Sequence, residues 1–227
     1  MRYAIGDIHG CSKTLEKLIN RIVNNDKNPS FYSVGDLIDR GPDAKAVLDF
    51  LMDLKKNYPV QVVRGNHEEM MLNALSQESE SWFFNGADKT LLSFQNSLKT
   101  VEMDLQNIIP QKYIRFIASF PYYIELEDYF IVHAGFNFSA ANPFDDTEAM
   151  VWTRTEENDF QYTQGKKIIH GHTPIPFQQI KMNIQNNTSN IYNIDSGCVY
   201  VQFNDLGTLT ALNMDTHELI NIKNIDL

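Results

Sequence analysis

Apolar positions follow two periods along this chain. Arg2-Tyr3-Ala4-Ile5 is a short run that stops at Gly6-Asp7, after which Leu15, Leu18, Ile19, Ile22 and Val23 recur at helical spacing. Phe31-Tyr32-Ser33-Val34 runs into Gly35-Asp36, Pro42 suits a first helical turn, and Val47, Phe50, Leu51 and Leu54 mark one helix face. A third unit joins Val60-Gln61-Val62-Val63 to Arg64-Gly65-Asn66-His67-Glu68 and a helix carrying Met71, Leu72 and Leu75. The spacing therefore predicts three strand–loop–helix units whose strands all end in polar loops. Glu78 to Pro110 is polar, with one aromatic knot at Trp82-Phe83-Phe84, and reads as an insertion at 78–110 within a single domain spanning 1–227. Tyr122 to Glu125 and Tyr129 to Val132 flank a short acidic turn, as in a hairpin. Short strands are then expected at Lys167–Ile169, Ile191–Ile194, Val199–Phe203 and Thr208–Leu212, with Gly207 turning the last pair. Strand–helix units followed by a β-rich half predict a mixed α/β, or α+β, fold with layered sheets and helices outside.

Composition narrows the partners. With 43% hydrophobic and 21% charged residues, the 227-residue chain has ordinary globular usage, which excludes disordered and coiled-coil classes. A net charge of −10 argues against nucleic acid as a partner, because the surface offers little attraction for a phosphate backbone. No apolar run approaches the roughly 18 residues of a membrane span, and Asp7 comes too early for a signal peptide. The expectation is a cytoplasmic protein with no membrane contact. Cys11 and Cys198 are too few and too distant in sequence to suggest a disulfide framework or a thiolate zinc site, although each lies beside a motif loop and could confer oxidant sensitivity.

The polar loops share one chemistry. Asp7, His9, Asp36, Asn66, His133 and His172 together offer carboxylate, imidazole and amide donors without thiolate, which suits Mn, Fe, Co or Zn, and their number suits two divalent ions with one shared ligand. Paired ions about 3.5–4 Å apart clamp the attacking and leaving oxygens of an in-line displacement at phosphorus and acidify water to hydroxide, so phosphoester hydrolysis is the expected reaction. Arg40, Arg64 and Arg154 supply planar forks suited to phosphate, with Arg64 explained equally well by a local ion pair, and His67 is a candidate general acid.

In this order, Gly6-Asp7-Ile8-His9-Gly10, Gly35-Asp36-Leu37-Ile38-Asp39-Arg40-Gly41, Arg64-Gly65-Asn66-His67-Glu68, His133-Ala134-Gly135 and Gly171-His172-Thr173 resemble the phosphoprotein phosphatase metallophosphoesterases. The likeness is strongest to the small bacterial and bacteriophage-lambda-type serine/threonine phosphatases; it extends to Ile194-Asp195-Ser196-Gly197 and to Trp82 with Asn85-Gly86. The resemblance implies a four-layer fold, a central β-sandwich flanked by helices. It further implies that Asp7 and His9 hold one ion, that Asp36 bridges, and that Asn66, His133 and His172 complete the second, with Mn favoured. Arg40 and Arg154, with Asn66, would hold the phosphoryl oxygens, and His67, paired to Asp39, would protonate the leaving oxygen. His170 is not counted as a ligand.

Phosphoprotein or a small phosphoester is the substrate so implied, and oligomeric state is left open. The alternative is a symmetrical diadenosine tetraphosphate hydrolase, which shares the metal motifs. Asp39 and Glu68 favour the phosphatase, since the tetraphosphatases carry a small residue and Asp at those positions. A non-catalytic phosphate binder is disfavoured because no ligand is missing. Among less specific features, Trp82-Phe83-Phe84 reads as core before substrate wall, and the acids Asp145, Asp146, Glu148, Glu156, Glu157 and Asp159 read as a solvated loop that could favour basic peptides.

Overall fold

In the computed structural model, which describes residues 1–76, 79–96, 105–154, 158–186 and 189–227, the three strand–loop–helix units lie side by side. Strands β1 (Arg2–Ile5), β2 (Ser30–Ser33) and β3 (Val60–Val62) pair in parallel, β2 in the middle; α1 (Ser12–Val23) and α2 (Ala44–Leu54) connect them, and α3 (Asn66–Leu75) follows β3. Parallel neighbours require such crossovers, because a tight turn cannot reverse the chain twice. Pro42 falls just outside α2, whose N-cap is Asp43, with its carboxylate accepting from the Ala46 N–H. Beyond α3, a 3-10 turn (Ser81–Asn85) leads into α4 (Ala87–Gln95), α5 (Leu105–Ile108) and α6 (Gln111–Ala118).

Parts of the expected 78–110 insertion, Glu78 and 97–104, lie outside the described residues. What is described of it belongs to the main core: Trp82, Ala87, Phe94, Ile108 and Ile109 are buried with Leu48, Met71 and Tyr113. Trp82 is thus core, whereas its neighbour Phe84 is 85% exposed.

The second sheet has the order β4-β5-β6-β7. Strands β4 (Tyr123–Glu125) and β5 (Tyr129–Val132) form the expected antiparallel hairpin, with Ile124 opposite Ile131. Helices α7 (Thr147–Trp152) and α8 (Phe160–Thr163) precede β6 (Lys167–His170), and α9 (Phe177–Asn186) precedes β7 (Ile191–Asn193). The chain then returns to the first sheet with β8 (Thr208–Asn213), antiparallel to β1, and β9 (Leu219–Lys223), giving the order β3-β2-β1-β8-β9.

Side-chain alternation explains the layering. Tyr3, Ile5, Phe31 and Val62 face the helices, while Ala4, Tyr32, Val34 and Val63 meet Ile131, Ile169 and Tyr192 of the other sheet. The outer face of the second sheet buries Phe130, Val132 and Ile168 against Phe136 and Met150. Helices, sheet, sheet and helix make the four layers. Among the described residues no helix is long and apolar enough to cross a membrane.

Two expectations fail at the end of the chain. Val199–Phe203 is not a strand: Tyr200 N–H donates to Gly197 O, Phe203 N–H to Tyr200 O and Leu206 N–H to Phe203 O, so successive turns replace a ladder. Val201 and Phe203 are exposed there, so the β-preference of the segment is overridden. Gly207 therefore turns no hairpin; β8 pairs with β9, across a turn in which the Asn213 side chain accepts from the Asp215 and Thr216 N–H groups.

The acidic stretch also has local work. Asp146 caps α7 by accepting from Ala149 N–H and Asp159 caps α8 through Gln161 N–H; Glu156 and Glu157 lie outside the described residues. Helix α1 lacks a side-chain cap at Cys11, and Asp226 supplies one from the other end of the chain, accepting from Lys13 N–H, Thr14 N–H and Thr14 Oγ1. Asp226→Ala is expected to cost about 1 kcal/mol, a fall of about 2–4 °C in Tm by thermal unfolding.

Candidate metal centre

Loops leaving the C-terminal ends of β1, β2, β3, β5, β6 and β7 converge, as ligand-bearing loops do on mixed sheets. Main-chain bonds tie them together. Ile8 and His9 N–H donate to Asp36 O, Gly10 N–H to Leu37 O, and Gly171 N–H to His133 O. The buried Glu68 carboxylate accepts from three N–H groups, those of Gly65, Asp36 and Leu37, and so fastens the start of α3 to the loop after β2. Glycine is required at 65, because a Cβ there would lie 2.2 Å from Asp36 Oδ1. His9, Asp36, Asp39, Arg40 and His172 all have positive φ, between 45° and 70°, a conformation that L residues adopt at a cost of about 1–3 kcal/mol each and that gathers at functional sites.

The donor atoms face one another. His9 gives its Nδ1–H to Ile38 O at 2.9 Å and His133 gives its Nδ1–H to Val34 O at 2.8 Å, so each turns the lone pair of Nε2 inward. Asp36 Oδ2 sits between them, 3.6 Å from His9 Nε2 and 3.5 Å from His133 Nε2. His133 Nε2 lies 2.9 Å from Asn66 Oδ1 and 3.2 Å from His172 Nδ1, and His172 Nδ1 lies 3.1 Å from Asn66 Oδ1. Asp7 accepts from His172 N–H through Oδ2, and its buried Oδ1 has no partner.

Burial disfavours charge on the imidazoles, lowering His9 and His172 to about 3 and His133 below its ordinary value. Burial, with Asp195 and Asp36 nearby, pushes Asp7 well above the carboxylate range. Burial would raise Asp36 too, but His133, His67 and His9 outweigh it and hold Asp36 low. Convergent lone pairs, an orphaned buried oxygen and crowded carboxylates are stable together only around positive charge, and this donor set fits divalent ions. Two sets of donor atoms lie within 4.8 Å of one another, His9/Asp36/His67 and Asp7/Asp36/His133, and Asp36 belongs to both.

The remaining residues take up distinct places. His67 Nδ1 bonds to Asp39 Oδ2 at 2.7 Å, both fully buried, and its Nε2 makes no hydrogen bond, lying 4.0 Å from Asp36 Oδ2. Burial opposes charge on His67, yet Asp36 and Asp39 raise its pKa above the ordinary value. Arg40 brings Nη1 to 2.9 Å from His9 Nε2, and Arg154 is exposed and close enough to His172 to lower its pKa further. Arg64 is held away from the cluster, ion-paired to Glu69 at 3.0 Å and bonded to Tyr122 and Ala118, so the local ion-pair reading holds for it. His170 is buried, with Nδ1 near Gly171 O and Nε2 unpartnered.

Sequence reasoning missed the Glu68 fastening, and it named Asp195 within a motif without giving the buried carboxylate a role. Glu68 had a signal, since a Glu three residues after a helix N-cap is a capping-box spacing. Concave volume is not a guide here: a cavity of about 520 Å³ lies at the opposite strand ends, where Arg2 is paired with Asp128 and Asp215.

Comparison with known proteins agrees with this geometry. The profile of the calcineurin-like phosphoesterases matches residues 3–206. Serine/threonine-protein phosphatase 1 of Salmonella typhimurium is 42% identical over 87 residues, which is 38% of this chain and 38% of that protein. The asymmetrical bis(5'-nucleosyl)-tetraphosphatase of Oceanobacillus iheyensis is 27% identical over 96% of this chain and 90% of its own. In fold, a protein serine/threonine phosphatase from Saccharomyces cerevisiae superposes with a TM-score of 0.66 at 15% identity, covering all of this chain and 80% of the other.

Proposed function

The chain belongs to the calcineurin-like phosphoesterase family and is a metal-dependent phosphoesterase, and within that class we propose that it hydrolyses phosphoric monoesters on serine and threonine of proteins. The observation that carries this reading is the buried His67–Asp39 pair with Nε2 turned away from Asp39. Expelling a serine or threonine alkoxide demands a proton donor, whereas a nucleotide leaves from a polyphosphate as a far weaker base. Asp7 and His9 would hold one ion, Asn66, His133 and His172 the other, with Asp36 shared. When bound, such ions supply Lewis-acid polarisation of the phosphoryl group and an acidified water. The protein's own residues do the rest. Arg40, beside His9, and Arg154, near His172, grip the phosphoryl oxygens with Asn66, and protonated His67 delivers its Nε2 proton to the leaving oxygen.

The arginine grip has a measurable size. Charge-assisted hydrogen bonds contribute about 1.5–3 kcal/mol, so losing either arginine should weaken kcat/KM and inhibition by inorganic phosphate about ten- to hundredfold. Arg154→Ala with both quantities unchanged would remove it from the site.

A second reading, hydrolysis of dinucleoside tetraphosphates, is supported by the end-to-end similarity to the Oceanobacillus protein. One assay separates the two. Protein stripped of metal and given Mn²⁺ should be offered phosphoserine, phosphothreonine and phosphotyrosine peptides beside diadenosine tetraphosphate. The phosphatase reading expects the highest kcat/KM on phosphoserine or phosphothreonine; a clear preference for the dinucleotide would replace it with the second.

A further inference from the structure

Asp39 is held by more than His67. Trp82 Nε1 donates to both of its carboxylate oxygens, at 3.0 and 2.8 Å, and Thr90 Oγ1 donates to Oδ1 at 2.6 Å. With the 2.7 Å bond from His67, these contacts take up the roughly four acceptor positions a carboxylate has. The same threonine oxygen accepts from Asp39 N–H at 2.9 Å, and Arg40 N–H points to Gly86 O at 3.4 Å. Gly86 lies against Arg40 so closely that a Cβ would meet its nitrogen at 2.9 Å, and its φ of 100° suits only glycine. Asp39 and Arg40 themselves stand at φ of 69° and 66°. Trp82, Thr90 and Asp39 are all fully buried.

A strained turn carrying two functional side chains is thus clasped, at backbone and carboxylate alike, by one segment running from the 3-10 turn into α4. We propose that Trp82 and Thr90 are positioning residues that set the His67–Asp39 pair in register, with Gly86 shaping the turn beside them, so that protonation of the leaving group depends on the 82–90 segment. The inference rests on His67 being the general acid. A carboxylate that could swing would let the imidazole turn with it, and Nε2 would lose its direction. A partner one shell out from the reacting groups typically matters about ten- to hundredfold, so the effect should be visible in rates.

The test compares a phosphoserine peptide, whose leaving group needs a proton, with nitrophenyl phosphate, whose leaving group does not. Thr90→Val and Trp82→Phe should each lower kcat/KM on the peptide about tenfold or more, while nitrophenyl phosphate falls by less than about threefold and bound metal stays constant. Thr90→Ser should restore most of the loss. In a His67→Asn background, Thr90→Val should change the ratio of the two substrates no further, whereas an effect on the leaving group that bypasses His67 would change it again.

If His67→Asn is substrate-selective but neither clasp variant is, the clasp is overturned and the acid stands. If His67→Asn itself costs both substrates equally, the acid reading fails and the inference falls with it. Should Thr90→Val not fold, Trp82→Phe carries the same decision, because it removes the indole N–H while leaving an aromatic ring in the core. In the unmodified protein the Trp82 indole proton should resonate downfield of that of Trp152; coincident shifts would overturn the clasp without any variant.

Discussion

Asp36→Asn is expected to empty both ion positions together and to abolish turnover, whereas Asp7→Asn should weaken chiefly one. Asp36 is the only residue common to the two donor sets found among the described residues, and its Oδ2 lies midway between His9 and His133. The change keeps the shape of the side chain and removes the charge that both ions would share. Bound ions provide several kcal/mol of transition-state stabilisation, and each 1.4 kcal/mol is a factor of ten, so activity should fall by at least about 10³-fold. Elemental analysis of the purified variant gives the reading directly, and two metals per chain in Asp36→Asn would exclude the shared role. The backbone should not be the cause of the loss, since Asp36 N–H remains bound to Glu68 and Asp36 O still accepts from Ile8 and His9.

His67→Asn should divide substrates by the basicity of what leaves. Phosphoserine peptide hydrolysis is expected to slow by roughly 10²–10⁴, nitrophenyl phosphate by much less, with metal content near wild type. Its pKa is raised because Asp36 and Asp39 outweigh burial, so the protonated form persists to higher pH than in a free imidazole. Removing the Asp39 charge lowers that pKa. The acid form is then lost earlier as pH rises, and Asp39→Asn should move the alkaline limb of the phosphopeptide profile to lower pH. Equal losses on both substrates in His67→Asn would mean that the ring positions water or phosphate instead.

Much of this site was legible because its ligands follow strands. Apolar runs that stop at Gly6-Asp7, Gly35-Asp36 and Gly65-Asn66 announce both the strand and the loop, and the parallel order β3-β2-β1 follows from helices between them. The β4–β5 hairpin was equally plain. What was not legible depends on contacts far apart in sequence. Val199–Phe203 has the composition of a strand, yet no neighbour offers it a ladder and it coils into turns around Gly197. Strand β9 forms because β8 has a free edge, a fact no local pattern contains. Thr90 is an ordinary helix residue in sequence, and only the fold brings its hydroxyl to Asp39, 51 positions away. Arg64 shows the reverse case, since its motif neighbours suggested phosphate and the nearby Glu69 took it.

The proposed reaction, hydrolysis of phosphomonoesters with two ions held around Asp36, makes a stoichiometric demand. Metal-free protein titrated with Mn²⁺ while phosphoserine peptide turnover is followed tests it most directly. Turnover should stay low through the first equivalent, rise with the second and level off at two Mn²⁺ per chain, and full activity at one equivalent, or with none, would contradict it.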